Sequence, residues 1–110
     1  MLRIDINIPN LKLRNQPTNW GEGVYLYNGL PFTGIISYRF SDDTLSGESE
    51  YKEGILDGRQ IEYWQNGKIK EECFQKFDYY IGSFKRWNES GVLISHQEFD
   101  QNGNWIKTIL

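Results

Sequence analysis

The side chains most often used in catalysis are scarce in this 110-residue chain, which contains one histidine and one cysteine. His96 has Ser95 and Glu98 close by in the sequence, but a Ser–His–acid triad requires its members to converge from separate segments. Cys73 could in principle act as a nucleophile. A zinc site needs several convergent ligands, and these two residues show no recurrent spacing. We therefore expect no catalytic set and no metal site, and predict that the chain is not an enzyme.

Acidic residues offer a second kind of chemistry, the binding of a cationic partner. Between Asp42 and Glu62 the sequence has seven acidic and two basic side chains. This run is either a solvated strand face with its turns or an acidic surface matched to a basic partner, which would steer association. The adjacent Glu71 and Glu72 are not expected to form a catalytic pair, because neighbours in a strand point to opposite faces of the sheet.

Aromatic residues make up 15% of the chain and have two possible roles. They stabilise the sheet through cross-strand pairs, or they contact a partner, since exposed Trp and Tyr are enriched at binding hot spots. Tyr63 and Trp64 are adjacent and so face opposite sides of a strand. The candidate partner-binding residues are the acids Asp42, Asp43, Glu48, Glu50 and Glu62 and the indoles Trp64 and Trp87.

Charge and composition exclude several classes of protein. The net charge is −3 and the isoelectric point is near 5.1, whereas a nucleic-acid footprint needs clustered Lys and Arg. A single cysteine excludes an internal disulfide bond. Residues 1–9 alternate polar and apolar side chains rather than forming the apolar core of a signal peptide, and no stretch reaches the ~18 apolar residues of a membrane span. We expect one cytoplasmic domain without a nucleic-acid or membrane partner.

A 24-residue period organises most of the chain. The spacing recurs in several sets of residues: Gly34, Gly58 and Gly82; Gly67 and Gly91; Leu45, Ile69 and Leu93; Tyr63 and Trp87; and Phe40 and Trp64. The glycines are assigned to turns, and they match neither a dinucleotide fingerprint nor a P-loop, both of which require a following helix. No cofactor is therefore expected. Cys73 falls at a packing position of the repeat.

Each copy of the repeat predicts two strands joined by a tight turn. Asn66-Gly67 predicts a type I′ turn, which needs positive φ at both residues. Ser90-Gly91 is its equivalent, and residues 41–44 replace it in the first copy, where Asp tolerates the left-handed region. Residues 54–58 are expected to form the return turn to the next unit. The predicted strands are residues 34–40, 45–52, 58–65, 68–76, 80–88 and 91–99, with a capping strand near 104–109.

The N-terminal part lies outside the repeat. The alternation of Leu2, Ile4, Ile6 and Ile8 predicts a half-buried strand, and residues 9–19 read as a looser connector. Whether this part pairs with the repeat sheet or folds over it is left open. Polar residues near the two ends suit the blunting of sheet edges: Arg3, Asp5, Asn102, Asn104 and Lys107.

This pattern resembles the MORN-variant repeat, in which an aromatic-x-Asn-Gly turn precedes a Gly-x-Trp-x-x-Tyr-Tyr-x-Asn-Gly unit and a second strand. The best copy matches with Gly58, Tyr63, Trp64, Asn66 and Gly67. The others match with Gly82, Phe84, Trp87 and Gly91, and with Gly34, Ile36, Phe40 and the Asp42-Asp43 turn. The match covers residues 25–103. It departs from the family at Gln60, at Asp78 and at the glycine-free first turn.

The resemblance implies an all-β fold, an elongated, twisted, single-layer meander of antiparallel hairpins with little or no helix. One domain, residues 1–110, would comprise an N-terminal strand and connector (1–24), the repeats (25–103) and a capping strand (104–110). Small bacterial proteins built from such repeats are often antitoxins or immunity proteins. The expected function is thus to bind a cognate protein toxin that has a basic surface, and to cover the toxin's active site.

The alternative is a structural or scaffolding repeat module that associates with other proteins, or weakly with itself. Related repeats have also been connected with membranes, but the negative charge suits anionic lipid poorly.

Overall fold

The computed structural model describes residues 1–14, 23–77 and 79–110, and these consist of strands and turns without a helix. Eleven strands follow in chain order: β1 Arg3–Asp5, β2 Leu11–Arg14, β3 Val24–Tyr27, β4 Leu30–Pro31, β5 Gly34–Arg39, β6 Leu45–Lys52, β7 Ile55–Tyr63, β8 Ile69–Lys76, β9 Tyr79–Trp87, β10 Leu93–Phe99 and β11 Trp105–Thr108. Eight of them form one sheet in the order β1-β5-β6-β7-β8-β9-β10-β11. The expected all-β hairpin meander is confirmed, with each repeat contributing two neighbouring strands. The described part contains no helix with the length and apolar character of a membrane span.

The turns that join the two strands of a repeat, called the long turns below, differ from the expected type. At Asn66-Gly67 only the glycine has positive φ, at 87°. The Gly67 amide donates to Trp64 O and the Trp64 amide donates to Lys68 O, the pattern of a type I turn followed by a left-handed residue in a bulge. The prediction of a type I′ turn was therefore wrong. The same pattern holds at Asp43, Gly91 and Gly103.

Type I′ character is found instead in the turns that join one repeat to the next, called the short turns below. Glu53 and Gly54 have φ of 52° and 82°, and they join Lys52 directly to its partner Ile55. The expected return turn over residues 54–58 was wrong, because β7 already begins at Ile55. Phe77, one period further on, also has positive φ, but its neighbour Asp78 lies outside the described residues.

The repeat glycines Gly58 and Gly82 lie inside strands rather than in turns. Two registered pairs of β6 and β7 flank Gly58, and between these pairs lie one residue of β6 and three residues of β7. The same irregularity recurs at Gly82, between β8 and β9. Such bulges bend a strand and increase its twist. The repeated glycine thus lies at a bulge in both β7 and β9.

The N-terminal part both joins the sheet and folds over it. β1 pairs with β5 in parallel, and β2-β3-β4 form a small second sheet. The expected half-buried strand is shorter than predicted and ends at Asp5. The segment expected to be a looser connector contains β2. Its residues 15–19 lie outside the described residues. Arg3 and Asp5 lie on the edge strand β1, and Lys107 on the opposite edge strand β11, as predicted.

The hydrophobic core lies between the two sheets, at the N-terminal end of the large one. Its buried residues are Ile4, Leu11, Phe32, Ile36 and Tyr51. Tyr25 on β3 meets Tyr51 edge-to-face at 5.2 Å between ring centroids, a favourable aromatic geometry. Within the described residues, the contacts of the core extend no further along the large sheet than Leu56 on β7, so β8 to β11 form a single layer there.

Candidate binding groove

The two faces of the large sheet follow from strand register, because cross-strand partners share a face. One row of partners runs Tyr38, Gly47, Glu62, Glu71, Arg86 and Ser95 from β5 to β10. This side is the groove face, and the small second sheet covers its N-terminal end. The row on the opposite side runs Ser37, Glu48, Ile61, Glu72, Lys85 and His96, and this side is the ion-pair face.

A groove of about 320 Å³ lies beside the core on the groove face. Tyr38 and Tyr80 are among the residues that line it, and Gln60, Gln75 and Cys73 lie between them. Gly47 forms part of the floor, where a Cβ atom would lie 2.7 Å from the Ile61 carbonyl oxygen. A side chain at this position would therefore collide with the backbone of β7.

Two carboxylates meet in this groove. Glu62 and Glu71 are direct cross-strand partners, an arrangement of like charges that destabilises a sheet. The Arg86 guanidinium neutralises Glu71, with Nε 2.9 Å from Oε1. Glu62 is exposed and, among the residues that the structure describes, its carboxylate has no hydrogen bond or ion pair. One uncompensated negative charge therefore faces the groove.

The pKa of the Cys73 thiol reflects burial and the negative charges of the groove. Burial and the nearby carboxylates of Glu71 and Glu62 raise the pKa of its thiol to about 12. A thiol must be ionised to act as a nucleophile. The side chain therefore belongs to the packed groove floor, as the repeat position predicts, and is a poor nucleophile at neutral pH.

Glu48 and Glu50 lie on the ion-pair face and have partners within the protein. Glu48 accepts hydrogen bonds from Arg3 and from the buried Ser37 hydroxyl. Glu50 accepts from the Arg59 amide opposite the Gly58 bulge. Further along this face, Glu72 pairs with Arg59 at 2.6 Å. The acidic run thus divides between the two faces of the sheet instead of forming one patch.

The remaining candidates lie along the row of long turns. Asp42 accepts from Thr44 and from the Gln65 side chain of the next turn. The Trp64 indole N–H donates to Trp87 O at 3.1 Å, and Lys70 Nζ lies 4.8 Å from the centre of the Trp64 ring. Asp43 is exposed. These contacts link the first long turn to the second and the second to the third, so Asp42, Gln65, the Trp64 indole N–H and the Trp87 backbone carbonyl hold repeats together.

His96 has an acid and a hydroxyl within reach, but in the wrong order for catalysis. Its Nε2 lies 2.7 Å from Glu98 Oε1, and the Ser83 hydroxyl donates to the same carboxylate at 2.9 Å. Both contacts lower the pKa of Glu98. In a catalytic triad the imidazole lies between hydroxyl and acid. Here the carboxylate is in the middle, so these three side chains are not arranged as a catalytic triad.

No known protein family, characterised protein or solved structure matches this chain significantly. The resemblance to MORN-variant repeats is therefore carried by the motif residues alone. No group of three or more potential metal ligands occurs within residues 1–14, 23–77 and 79–110.

Sequence reasoning identified Glu62 but not its surroundings. Gln60, Glu71, Gln75 and Tyr80 join it only through the register of β7, β8 and β9. One signal was present: Gln60 and Glu62, like Glu71, Cys73 and Gln75, follow the period of two that places side chains on one sheet face. The opposite directions predicted for Glu71 and Glu72 are confirmed, since they pair with Arg86 and Arg59 on different faces.

Proposed function

We propose that the chain is a non-enzymatic antitoxin or immunity protein, which binds a protein toxin and covers its active site. The observation that supports this most directly is the open groove on this face, which begins beside the core and continues onto the strands that form a single layer among the described residues. Its two tyrosines, two glutamines and unpaired carboxylate combine ring surface with hydrogen-bonding groups. Protein interfaces are built from this mixture, with aromatic anchors and a polar surround.

The toxin part of the proposal rests on the resemblance of residues 25–103 to MORN-variant repeats. The single-layer half of the sheet suits occlusion, because a broad face can lie across the mouth of an active site. A partner with a basic surface fits best, since net charge and the unpaired Glu62 are both negative.

Co-expression with the toxin encoded beside this chain's gene tests the proposal. We expect restored growth and a complex of defined stoichiometry that co-purifies. The variant Glu62→Arg should lose rescue, because it reverses the charge in the groove, whereas Glu89→Arg makes the same change on an exposed turn residue and should keep it. Absence of both rescue and complex for the unmodified chain would refute the antitoxin function.

A second candidate, a scaffolding module, is favoured by one feature. The edge strand β11 and its surroundings expose the apolar side chains of Ile94, Trp105, Ile106, Ile109 and Leu110, each more than half exposed. An edge strand with apolar side chains can add a further strand from another chain. Sedimentation velocity across a range of concentrations tests this function. Self-association that Trp105→Lys abolishes would favour it, and a concentration-independent monomer would exclude self-association.

A further inference from the structure

We propose that the groove face binds an arginine side chain of the partner protein, which enters the groove that Tyr38 and Tyr80 line and pairs with Glu62. This deepens the proposed function and rests on it, since it names the group of the partner that the face recognises. The site is an uncovered part of a sheet face, and charge complementarity decides its occupant.

The first argument is that the protein already contains the same interaction one strand away. Arg86 pairs with Glu71 and lies over the Phe84 ring, with its guanidinium carbon 5.1 Å from the ring centre. Carboxylate and ring together hold a guanidinium through an ion pair and a cation–π contact. Glu62 is the cross-strand partner of Glu71, but within the described part of the chain no guanidinium pairs with it. The groove thus has the acceptor half of the pair.

The second argument concerns the groups around Glu62. Gln60 on the same strand and Gln75 on β8 line the groove with it, and their amide oxygens can accept hydrogen bonds. A guanidinium has five N–H donors in a planar arrangement, whereas an ammonium is a compact and strongly hydrated charge. Several acceptors together with flanking rings therefore favour arginine over lysine.

The third argument is energetic. A cation beside Glu62 would neutralise the one carboxylate of the facing pair that Arg86 leaves uncompensated. Burial first, and then the carboxylates of Glu71 and Glu62, raise the pKa of Cys73 on the groove floor. The groove is therefore negative where the cation would bind.

An NMR titration tests the site without the partner. The probe is N-acetyl-arginine-N-methylamide, and its citrulline analogue is the uncharged control. We expect saturable shifts at the amides of Gln60, Glu62, Cys73 and Tyr80, absent with citrulline. Glu62→Gln should weaken binding about tenfold, as expected for the loss of one charge-assisted hydrogen bond. Glu89→Gln, an equal charge change on an exposed turn residue that does not line the groove, should leave binding unchanged.

Other outcomes separate this proposal from the proposed function. Non-saturating shifts, or equal binding by Glu62→Gln, would overturn the arginine site. If the toxin complex forms and Glu62→Gln binds the toxin as tightly as the unmodified chain, the antitoxin function stands and the arginine site is wrong. If the unmodified chain does not bind the toxin, the antitoxin function fails, and the titration still decides whether the groove accepts arginine. Glu62→Gln should remain folded, because the change removes a like-charge contact.

Discussion

Gly58 and Gly82 occupy the same place in successive repeats but differ in their surroundings. Gly58 has φ of 122°, and an added Cβ would approach the Glu50 side chain to between 2.8 and 3.0 Å. Gly82 has φ of 65°, in the ordinary left-handed region, with nothing within 4 Å of the added atom. At Gly58 both the backbone conformation and the crowding by Glu50 disfavour a side chain, whereas at Gly82 only the backbone conformation does.

Replacing each glycine by alanine should therefore have unequal effects. We expect Gly58→Ala to lower the free energy of unfolding by about 2–3 kcal/mol, since strain and displacement of Glu50 add together. Gly82→Ala should cost about 1 kcal/mol from left-handed strain alone. Urea denaturation of both variants measures the difference. Equal losses would show that crowding against Glu50 contributes nothing.

Cys73 should be nearly inert in the folded protein. Its pKa is raised to about 12, first by burial and then by Glu71 and Glu62, so little thiolate exists at pH 8. We expect a disulfide reagent to modify the folded chain at least ~100-fold more slowly than the chain unfolded in urea. Rates within a few-fold of each other would contradict the assignment of Cys73 to the groove floor.

At the scale of elements, the row of long turns is the most regular feature of the sheet. Asp43, Gly67, Gly91 and Gly103 hold the same left-handed place in four turns, and only Asp43 has a side chain there. Its ion pair with Arg39 is long, at 4.0 Å, and exposed, so it contributes little. Asp43→Gly should relieve strain and raise the free energy of unfolding by about 0.5–1 kcal/mol. A lower urea midpoint for this variant would mean that the aspartate side chain stabilises the turn.

Asp42, the preceding residue, should make the stability of the first turn depend on pH. Hydrogen bonds from the Thr44 hydroxyl and the Gln65 amide lower its pKa from 3.8 to about 2. Because the folded pKa is the lower one, this stabilisation is fully present above about pH 4 and is lost as the pH falls toward 2. We expect Asp42→Asn to be less stable than the unmodified chain at pH 6 and equal to it near pH 2. Thermal unfolding between these values checks this, with Asp43→Asn as control.

The elements could be predicted from the sequence far better than their faces. The 24-residue period places β5 to β10 within three residues of their observed bounds. Which side chains share a face depends on the register between neighbouring strands. Each long turn shifts this register by one residue, and the bulges at Gly58 and Gly82 shift it further. Alternation along one strand therefore cannot show which side chains of neighbouring strands meet. The convergence of Glu62 and Glu71 beside Tyr80 needed the structure.

The second sheet was not predicted for a related reason. β2, β3 and β4 have only four, four and two residues, too short for a clear periodic pattern. Their position depends on contacts distant in sequence, such as the Tyr25 amide donating to Gly54 O. At Asn28-Gly29, joining β3 to β4, both φ values are positive, so the type I′ signature was present there but was assigned to another turn.

At the scale of the whole molecule, the two ends of the sheet should differ in stability. Phe32, 2% exposed, packs in the core between the sheets, whereas Phe84 lies on the single-layer half against Tyr80 and Arg86. The core end has two layers to exclude water and the other end has one. The groove lies where the layered part gives way to the open part.

Truncating the two phenylalanines measures this asymmetry. Phe32→Ala should lower the free energy of global unfolding by about 3–5 kcal/mol, because it leaves a cavity between two packed layers. Phe84→Ala, the same chemical change on the single layer, should cost about 1 kcal/mol, because its site is already half open to water. Native-state hydrogen exchange should show slow amides in β5 and β6 for the unmodified chain, and exchange through local opening in β10 and β11. Equal costs for the two substitutions, with uniform protection across the sheet, would mean that the single-layer half is as cooperative as the core, and that the groove is a rigid surface over its whole length.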